Sequence, residues 1–535
     1  MVVQIPATNC YPDHMGRRVH LLIEGMYLRA DSIAWDAALH YRLLRAQGVE
    51  VSIFAERFDP AHYPCVPVRP FGEFEATLRE DPGLIIYHWV DGWKEAEALL
   101  RRAQAPVALR WHNNTPPWFF APYSHFPTHK TVRGFEEILR SAVAMPQARF
   151  WVNSEFSRRQ LTVLGLDPAR VDVLQPASPL LDVEAEPAPP GADASNIEAT
   201  SPLRLLFVGR IVPHKGHLHV LAAAAALRAL SGRPIKVIFP GRADADMPGY
   251  PAEIRALASR LAIDLDLPGE ISQDDLSRHY RNADVFVGLS EHEGFGLPIL
   301  EAMAHGLPVV GYRSSAVAEV LNEHPLGVDE LDPLTIARRI LAAIAPDSRA
   351  AIIDWQRQVI LPRFSSRMVA EKLGSLVAQA GIDLANPIID GGPTAPTAAI
   401  AGAIREALLR ADALPAPQSH IMNDLPRDIN PHFVTRYDLR AYRAMLRPGE
   451  TGNLRSRALK FQFSSHREVF GGVLGFVKRM ALRLQDGVVR TIELSHEELE
   501  ERLQTISDKL DSLAGRLERP RENPETFDKQ KASED

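Results

Sequence analysis

The sequence predicts an α/β protein of two doubly wound domains facing across a cleft, followed by a helical, coiled-coil C-terminal extension. Three observations predict it. Short apolar runs alternate with helical patterns twice, over residues 18–182 and again over 203–345. A stretch rich in Pro, Ala and acid separates the two. Near the C-terminus, apolar residues recur at alternating spacings of three and four. Strands alternating with helices imply parallel sheets with both faces covered, and 535 residues suit two or three domains of roughly 150 residues each.

In the first unit Val19–Ile23 reads as a strand, Ala34–Gln47 as a helix stopped by Gly48, and Val49–Phe54 as a second strand. Leu84–Tyr87, Val107–Trp111 and Phe150–Asn153 continue the sheet, with helices between. Residues 183–202, VEAEPAPPGADASNIEATSP, carry no periodicity and read as a linker. The second unit has strands at Leu203–Val208, Ile235–Pro240, Asp284–Leu289 and Pro308–Tyr312. Its helices are His217–Leu230, Pro251–Ala262, Asp274–Ala283 and Leu334–Ala345, and two more helical segments follow by residue 384.

The expected division is therefore 1–182 first domain, 183–202 linker and 203–384 second domain. Next come a Pro/Ala-rich linker at 385–432 that includes a helical stretch, Ala398–Ala413, and a basic amphipathic region at 433–488. A coiled coil at 489–519 and a polar tail at 520–535, expected to be disordered, end the chain.

Residues 455–490 hold eight Lys/Arg against two acids. Phe470, Val473, Leu474, Val477, Met480 and Leu484 share one helical side there. This is either a membrane-surface element or a helix packed on its own catalytic domain, and Gly471, Gly472 and Gly475 weaken it as a helix. The seam Val489, Ile492, His496, Leu499, Leu503, Ile506, Leu510, Leu513, Leu517 proposes a homo-oligomeric coiled coil, with a single amphipathic helix as the other reading.

The net charge of −7 gives no overall attraction to nucleic acid. Two cysteines, Cys10 and Cys65, form neither a disulfide framework nor a zinc pattern. The N-terminus lacks a signal-peptide pattern, and no run of about 18 apolar residues exists to span a bilayer. The expected location is the cytoplasm, with peripheral contact at the inner face of the plasma membrane.

The most informative segment is Ser290–Gly311, SEHEGFGLPILEAMAHGLPVVG. Glu293 and Glu301 lie eight residues apart, around a glycine turn and Pro298. Strand, tight loop and helix start make an anion site, with Glu301 expected in the first helical turn and Glu293 on the loop above it. Upstream, LLFVGRIVPHKGH (Leu205–His217) places Arg210 and Lys215 across a turn at a strand end, where two cations can grip a diphosphate. The clamp argues against a glycosidase, whose two carboxyl groups flank one bond about 5–9.5 Å apart and need no such cations.

The glutamate segment resembles the E-x7-E signature of retaining glycosyltransferases of family 4, which have the GT-B fold of two Rossmann-like domains. Gly209-Arg210 to Lys215-Gly216 is similar to the family's G-R-x(4)-K-G motif, and Leu267–Leu276 and Tyr280–Ser290 match in order. The resemblance runs from about Leu203 to Val320. It implies that Arg210 and Lys215 hold the diphosphate, beside Gly209, and that Glu293 accepts hydrogen bonds from sugar hydroxyls. Gly294, Phe295, Gly296 and Leu297 would approach sugar and phosphate through their backbone, Glu301 would hold the ribose hydroxyls, and the loop containing Ile271 would pass the nucleobase.

In the first domain, EGMYLRADSIAWD (Glu24–Asp36) departs from the family's Gly-Gly pair. Gly25 alone is available to approach the donor, and Asp31 either caps the following helix or lines the acceptor side. RWHNNTPPWFFAPY (Arg110–Tyr123) resembles the H-N-x-T-P loop of bacterial polysaccharide mannosyl- and rhamnosyltransferases. It implies that His112 contacts the transferring sugar or its phosphate, and the aromatics after it can wall the sugar site. The other reading of His112 is a strand-end cap. Trp89 and Trp93 face either the acceptor or the core. Ser154, at the start of NSEFSRR, reads as a helix cap.

The expected catalytic residues are thus Glu293, Arg210, Lys215 and His112. The resemblance implies retaining transfer of a hexose from a nucleotide sugar, with GDP-mannose favoured, to a glycan or lipid-linked saccharide. No Asp-x-Asp triad stands in a cleft loop, so the transfer is expected to need neither metal nor other cofactor. A GT-B-like epimerase or phosphorylase, and a non-catalytic scaffold acting through the coiled coil, are the rival functions.

Overall fold

The computed structural model describes residues 18–27, 31–63, 65–181, 201–388 and 398–417. The first domain is a seven-stranded parallel sheet. Its strands are β1 (Arg18–Met26), β2 (Glu50–Phe58), β3 (Val68–Pro70), β4 (Leu84–Trp89), β5 (Val107–Trp111), β6 (Arg149–Val152) and β7 (Val171–Val173). The second domain is a six-stranded parallel sheet of β8 (Leu203–Leu206), β9 (Ile235–Pro240), β10 (Asp264–Gly269), β11 (Val285–Gly288), β12 (Val309–Tyr312) and β13 (Gly327–Val328). The spatial orders are β3-β2-β1-β4-β5-β6-β7 and β10-β9-β8-β11-β12-β13. Each order reverses once, at β1/β4 and at β8/β11. In open α/β sheets the crevice for ligands opens at such switch points, beyond the carboxyl ends of the strands.

The central strands are fully buried apolar runs because helices cover both faces. In β4 all six residues are buried, and β11 and β12 are buried throughout. Leu21 on β1 pairs with Ile53 on β2 and Ile86 on β4. The second core is closed by the alanine-rich helix His217–Ser231, where Ala222 to Ala226 are all inaccessible to solvent. Methyl side chains let that helix lie close to its neighbour Pro333–Ile344.

Four strands lie outside the predicted set: β3, β7, β10 and β13. They are the four sheet edges. An edge strand has one neighbour and carries no continuous apolar run; Pro70 and Pro268 lie in two of them, where a missing N–H costs no ladder bond.

Helix Ser366–Gln379 crosses back to the first domain. Val369, Leu373, Leu376 and Val377 join that domain's core, and Gln47 Nε2 donates to the Ala370 carbonyl at 3.0 Å. The expected linker at 385–432 contains the predicted helix, Ala398–Asp412, but it is not a free connector. Ile404, Ala407 and Ala411 form an apolar stripe buried in the second domain's core. The second domain's packing therefore extends past residue 384. Most of the first linker, the basic amphipathic region and the coiled coil lie outside the described residues.

Many histidines are buried. Burial lowers His20, His40 and His324 to about 4. Between pH 6.5 and 4 the unfolded chain takes up these protons and the folded chain does not, so folding stability falls as pH falls through that window. Melting temperatures measured from pH 7.5 to 4.5 should hold steady above about 6.5 and decline below it.

Candidate functional site

The site forms where the loops after β8 and β11, adjacent strands at the switch point, come together. After β8 the chain makes a short 3-10 turn, Pro213–Lys215, and enters helix His217–Ser231 through Gly216 at φ +71°. A Cβ on Gly216 would stand 2.1 Å from the Leu289 carbonyl oxygen. Only glycine permits both this conformation and this approach. Glu291 N–H then donates to the His214 carbonyl at 2.8 Å, fastening one loop to the other.

This places Lys215 Nζ 2.6 Å from Glu293 Oε1, with both side chains about one-seventh exposed. Ser290 Oγ donates to the same oxygen at 2.8 Å, and Glu293 N–H donates to Ser315 Oγ at 2.8 Å. Arg210 is exposed at the rim, yet the protein around it desolvates the guanidinium and lowers its pKa, as Arg242 does, against the charges of Asp244, Glu293 and Asp31. Gly209, just before it, is half-buried. Gly296 is left-handed at φ +104° and opens helix Leu297–Ala304, with Pro298 in its first turn. Phe295 turns into the core against Phe364, so Gly294–Gly296 can meet a ligand only through backbone. Leu297 is half-buried at the helix start, and Ile271 is half-buried in the loop after β10.

Glu301 is the fifth residue of its helix, just past the first turn in which it was expected. Its carboxylate accepts from Tyr280 OH at 2.9 Å, and Ser178 of the first domain also bonds it. Burial raises its pKa against both bonds. Ser272 caps the helix Gln273–Asn282, with Asp274 and Asp275 in its first turn, the structural role expected of those acids.

Two first-domain expectations change. Gly25 is a buried residue inside β1, paired with Arg57 of β2, rather than part of the loop beyond it. The strand runs further than its apolar core because β2 pairs with it to the end. His112 follows β5, but both its ring nitrogens face inward. Nε2 is 3.1 Å from His88 Nδ1 and Nδ1 is 3.9 Å from Asp36 Oδ2. Burial lowers it to about 3. Its side chain caps a buried polar network behind the cleft floor.

That network joins helix Ser32–Ala46 to β4 and β5. Arg110 Nε donates to Asp36 Oδ2 at 2.8 Å and Arg110 NH1 to the Leu174 carbonyl at 2.6 Å. Burial alone would raise Asp36, but Arg110 and the three imidazoles outweigh it and hold the carboxyl well below its usual range. Asp36, His40 and His88 bring ligand-type atoms within 4.8 Å of one another, the sole such group of three among the described residues. Arg110 already neutralises the single carboxylate. A divalent ion there would therefore add uncompensated buried charge, and the donor set fits a metal poorly.

Asp31 caps helix Ser32–Ala46 by accepting from Ile33 N–H at 3.0 Å. Burial raises its pKa, opposed by backbone bonds and by Arg210 and Arg242 across the cleft. The capping reading of Asp31 is the one the geometry shows. Trp118, Phe119 and Phe120 are buried, Phe119 and Phe120 against His214 of the second domain, so they glue the domains rather than wall an open sugar site. Trp89 and Trp93 belong to the core. Ser154 caps helix Glu155–Val163 as expected.

The sequence reading missed the residues that bridge the domains. Asn113 Oδ1 lies 3.1 Å from His292 Nε2, and Ser154 Oγ donates to the Gly294 carbonyl at 3.0 Å. Glu319 accepts from the N–H groups of Glu155 and Phe156 at 3.0 and 2.6 Å, and Tyr123 OH donates to Glu253 at 2.8 Å. Asn113 and His292 sat inside motifs already singled out. Nothing in the linear pattern ties Glu319 to residue 155.

Residues 192–358 match the family model of glycosyl transferases group 1. The D-inositol 3-phosphate glycosyltransferase of Mycolicibacterium vanbaalenii is 28% identical over 351 residues, 58% of this chain and 78% of that protein. The same-named enzyme of Salinispora arenicola is 33% identical over 212 residues, 36% and 46% of the two chains. Among solved structures, Anabaena Alr3699/HepE in complex with UDP and glucose aligns with TM-score 0.53 at 17% identity, over 68% of this chain and 99% of that one. A glycosyltransferase from Rickettsia africae aligns with TM-score 0.52 at 14% identity, over 68% and 98%. These likenesses show the GT-B fold.

Replacing Asp36 with Ala would leave the Arg110 guanidinium buried and unpaired. The expected loss is roughly 3–5 kcal/mol of folding stability, read from urea unfolding. A loss under about 1 kcal/mol would contradict the network described.

Proposed function

We propose that this chain, whose residues 192–358 match the model of glycosyl transferases group 1 and whose fold is GT-B, carries out retaining transfer of a hexose from a nucleotide sugar, with GDP-mannose the favoured donor. The contact of Lys215 with Glu293 at the β8/β11 switch point, beside exposed Arg210, carries this reading. A leaving nucleoside diphosphate develops charge that Arg210, Lys215 and the N-terminus of helix Leu297–Ala304 can neutralise. Lys215 shifts from Glu293 toward the phosphate, and Glu293 takes sugar hydroxyls. The acceptor hydroxyl attacks on the face the diphosphate leaves and passes its proton to a phosphate oxygen, so configuration is kept. Positioning and charge supply the rate.

The acceptor in this reading is a glycan or lipid-linked saccharide of a bacterial surface polysaccharide, met at the inner face of the plasma membrane. The basic region gives peripheral contact there, and the heptads give a homo-oligomer. No described helix is long and apolar enough to cross a membrane. The name of the curated relatives adds inositol phosphate as an acceptor to test, and a second rim guanidinium, Arg242, would suit its charge.

Glu293→Ala and Lys215→Ala should each lower transfer at least 100-fold with melting temperatures within a few degrees of wild type. Full activity in either would remove the site assignment. Cations already stand where the diphosphate leaves, so transfer should persist in excess EDTA. Loss that Mg²⁺ or Mn²⁺ restores would overturn that. A thermal-shift screen against GDP, UDP, ADP and their sugars names the base, since a ligand at 100 times Kd stabilises by about 2.7 kcal/mol. Removing 440–535 should spare nucleotide binding while changing oligomeric state or liposome binding; the same number of subunits and the same liposome binding would refute the reading of the tail.

A further inference from the structure

Asn113 follows His112 at the end of β5 and holds φ +76°, a left-handed conformation uncommon for a residue with a Cβ. Such strain persists where surroundings enforce it, often at functional sites. Here the side chain supplies the enforcement. Nδ2 donates to Ser157 Oγ at 2.7 Å and to Gln160 Oε1 at 2.6 Å, both on helix Glu155–Val163 of its own domain. With the amide nitrogen committed, Oδ1 is left to accept from His292 Nε2–H of the opposite domain at 3.1 Å.

His292 immediately precedes Glu293, and the residue on the other side of Glu293 is held from the same domain. A Cβ on Gly294 would stand 2.9 Å from Asn113 Cβ and 3.0 Å from the His112 carbonyl oxygen. The Gly294 carbonyl also accepts from Ser154 Oγ at 3.0 Å. First-domain groups therefore flank Glu293 on both sides, while Lys215, Ser290 and Ser315 hold it from the second domain.

We propose that Asn113 is a positioning residue through which closure of the two domains sets the Glu293 loop for transfer. The inference rests on reading Glu293 as the sugar-binding carboxylate. Its chemical content is one interdomain hydrogen bond to neutral His292 and one steric stop against Gly294. The diphosphate clamp of Arg210 and Lys215 lies outside it, so Asn113 acts on turnover and sugar placement rather than on nucleotide affinity.

The test uses the full chain. Asn113→Gly keeps the left-handed backbone available and removes the amide; relief of strain offsets only part of the lost bonds to Ser157, Gln160 and His292, so the chain should stay folded with a melting temperature a few degrees lower. Its kcat/KM for transfer should fall at least tenfold, with the Kd for the nucleoside diphosphate within twofold. His292→Ala should show a similar loss, and the double variant should lose little more than either single change, because both break the same interdomain hydrogen bond. Amide exchange at 290–296 should speed up in Asn113→Gly. Unchanged kcat/KM in Asn113→Gly, or a double-variant loss equal to the product of the two single losses, would overturn the proposal. A wild-type chain that transfers no sugar yet shows the same exchange contrast would defeat the reading of Glu293, while supporting Asn113 as the holder of its loop.

Discussion

The approach of Gly216 to the Leu289 carbonyl is the constraint on which the candidate site depends. It brings the ends of β8 and β11 to van der Waals limits. From that one closeness follow the Glu291–His214 backbone bond and the Lys215–Glu293 ion pair. The ion pair is partly shielded, which strengthens it relative to one in open water. The switch in strand order supplies the crevice, and glycine supplies the fit within it.

A second layer of contacts crosses from the first domain. Its strand-end loop after β5 and its helix Glu155–Val163 meet the Glu293 loop and Glu319, and the closing helix Ser366–Gln379 ties the second domain's chain back into the first core. Behind that loop lies the buried Asp36–Arg110 pair with three neutral imidazoles. Buried polar groups of this kind are costly unless satisfied. Here the network is only partly satisfied: Asp36 Oδ1, both ring nitrogens of His40, His88 Nε2 and one Arg110 nitrogen have no hydrogen-bond partner.

Legibility in the sequence followed the physics of each element. Central strands announced themselves as apolar runs because helices bury both faces; the four edge strands did not, because one side of each has no partner. Gly25 was misplaced because a strand's length depends on how far its neighbour pairs with it. Helix Ala398–Asp412 was readable as a helix, but its anchoring in the second core was not, since a stripe such as Ile404, Ala407 and Ala411 does not say what it packs on.

The sequence by itself determined the two-domain α/β plan and the residues of the two strand-end motifs, because strand, glycine turn and charged residue lie within a few positions of one another. Tertiary structure alone decided which residues meet across the cleft. Asn113 finds His292, Glu319 finds the start of helix Glu155–Val163, and Asp36 finds Arg110 over long stretches of chain. It also turned the His112 ring inward. Contacts between groups so far apart depend on how finished domains dock, and no local periodicity encodes that.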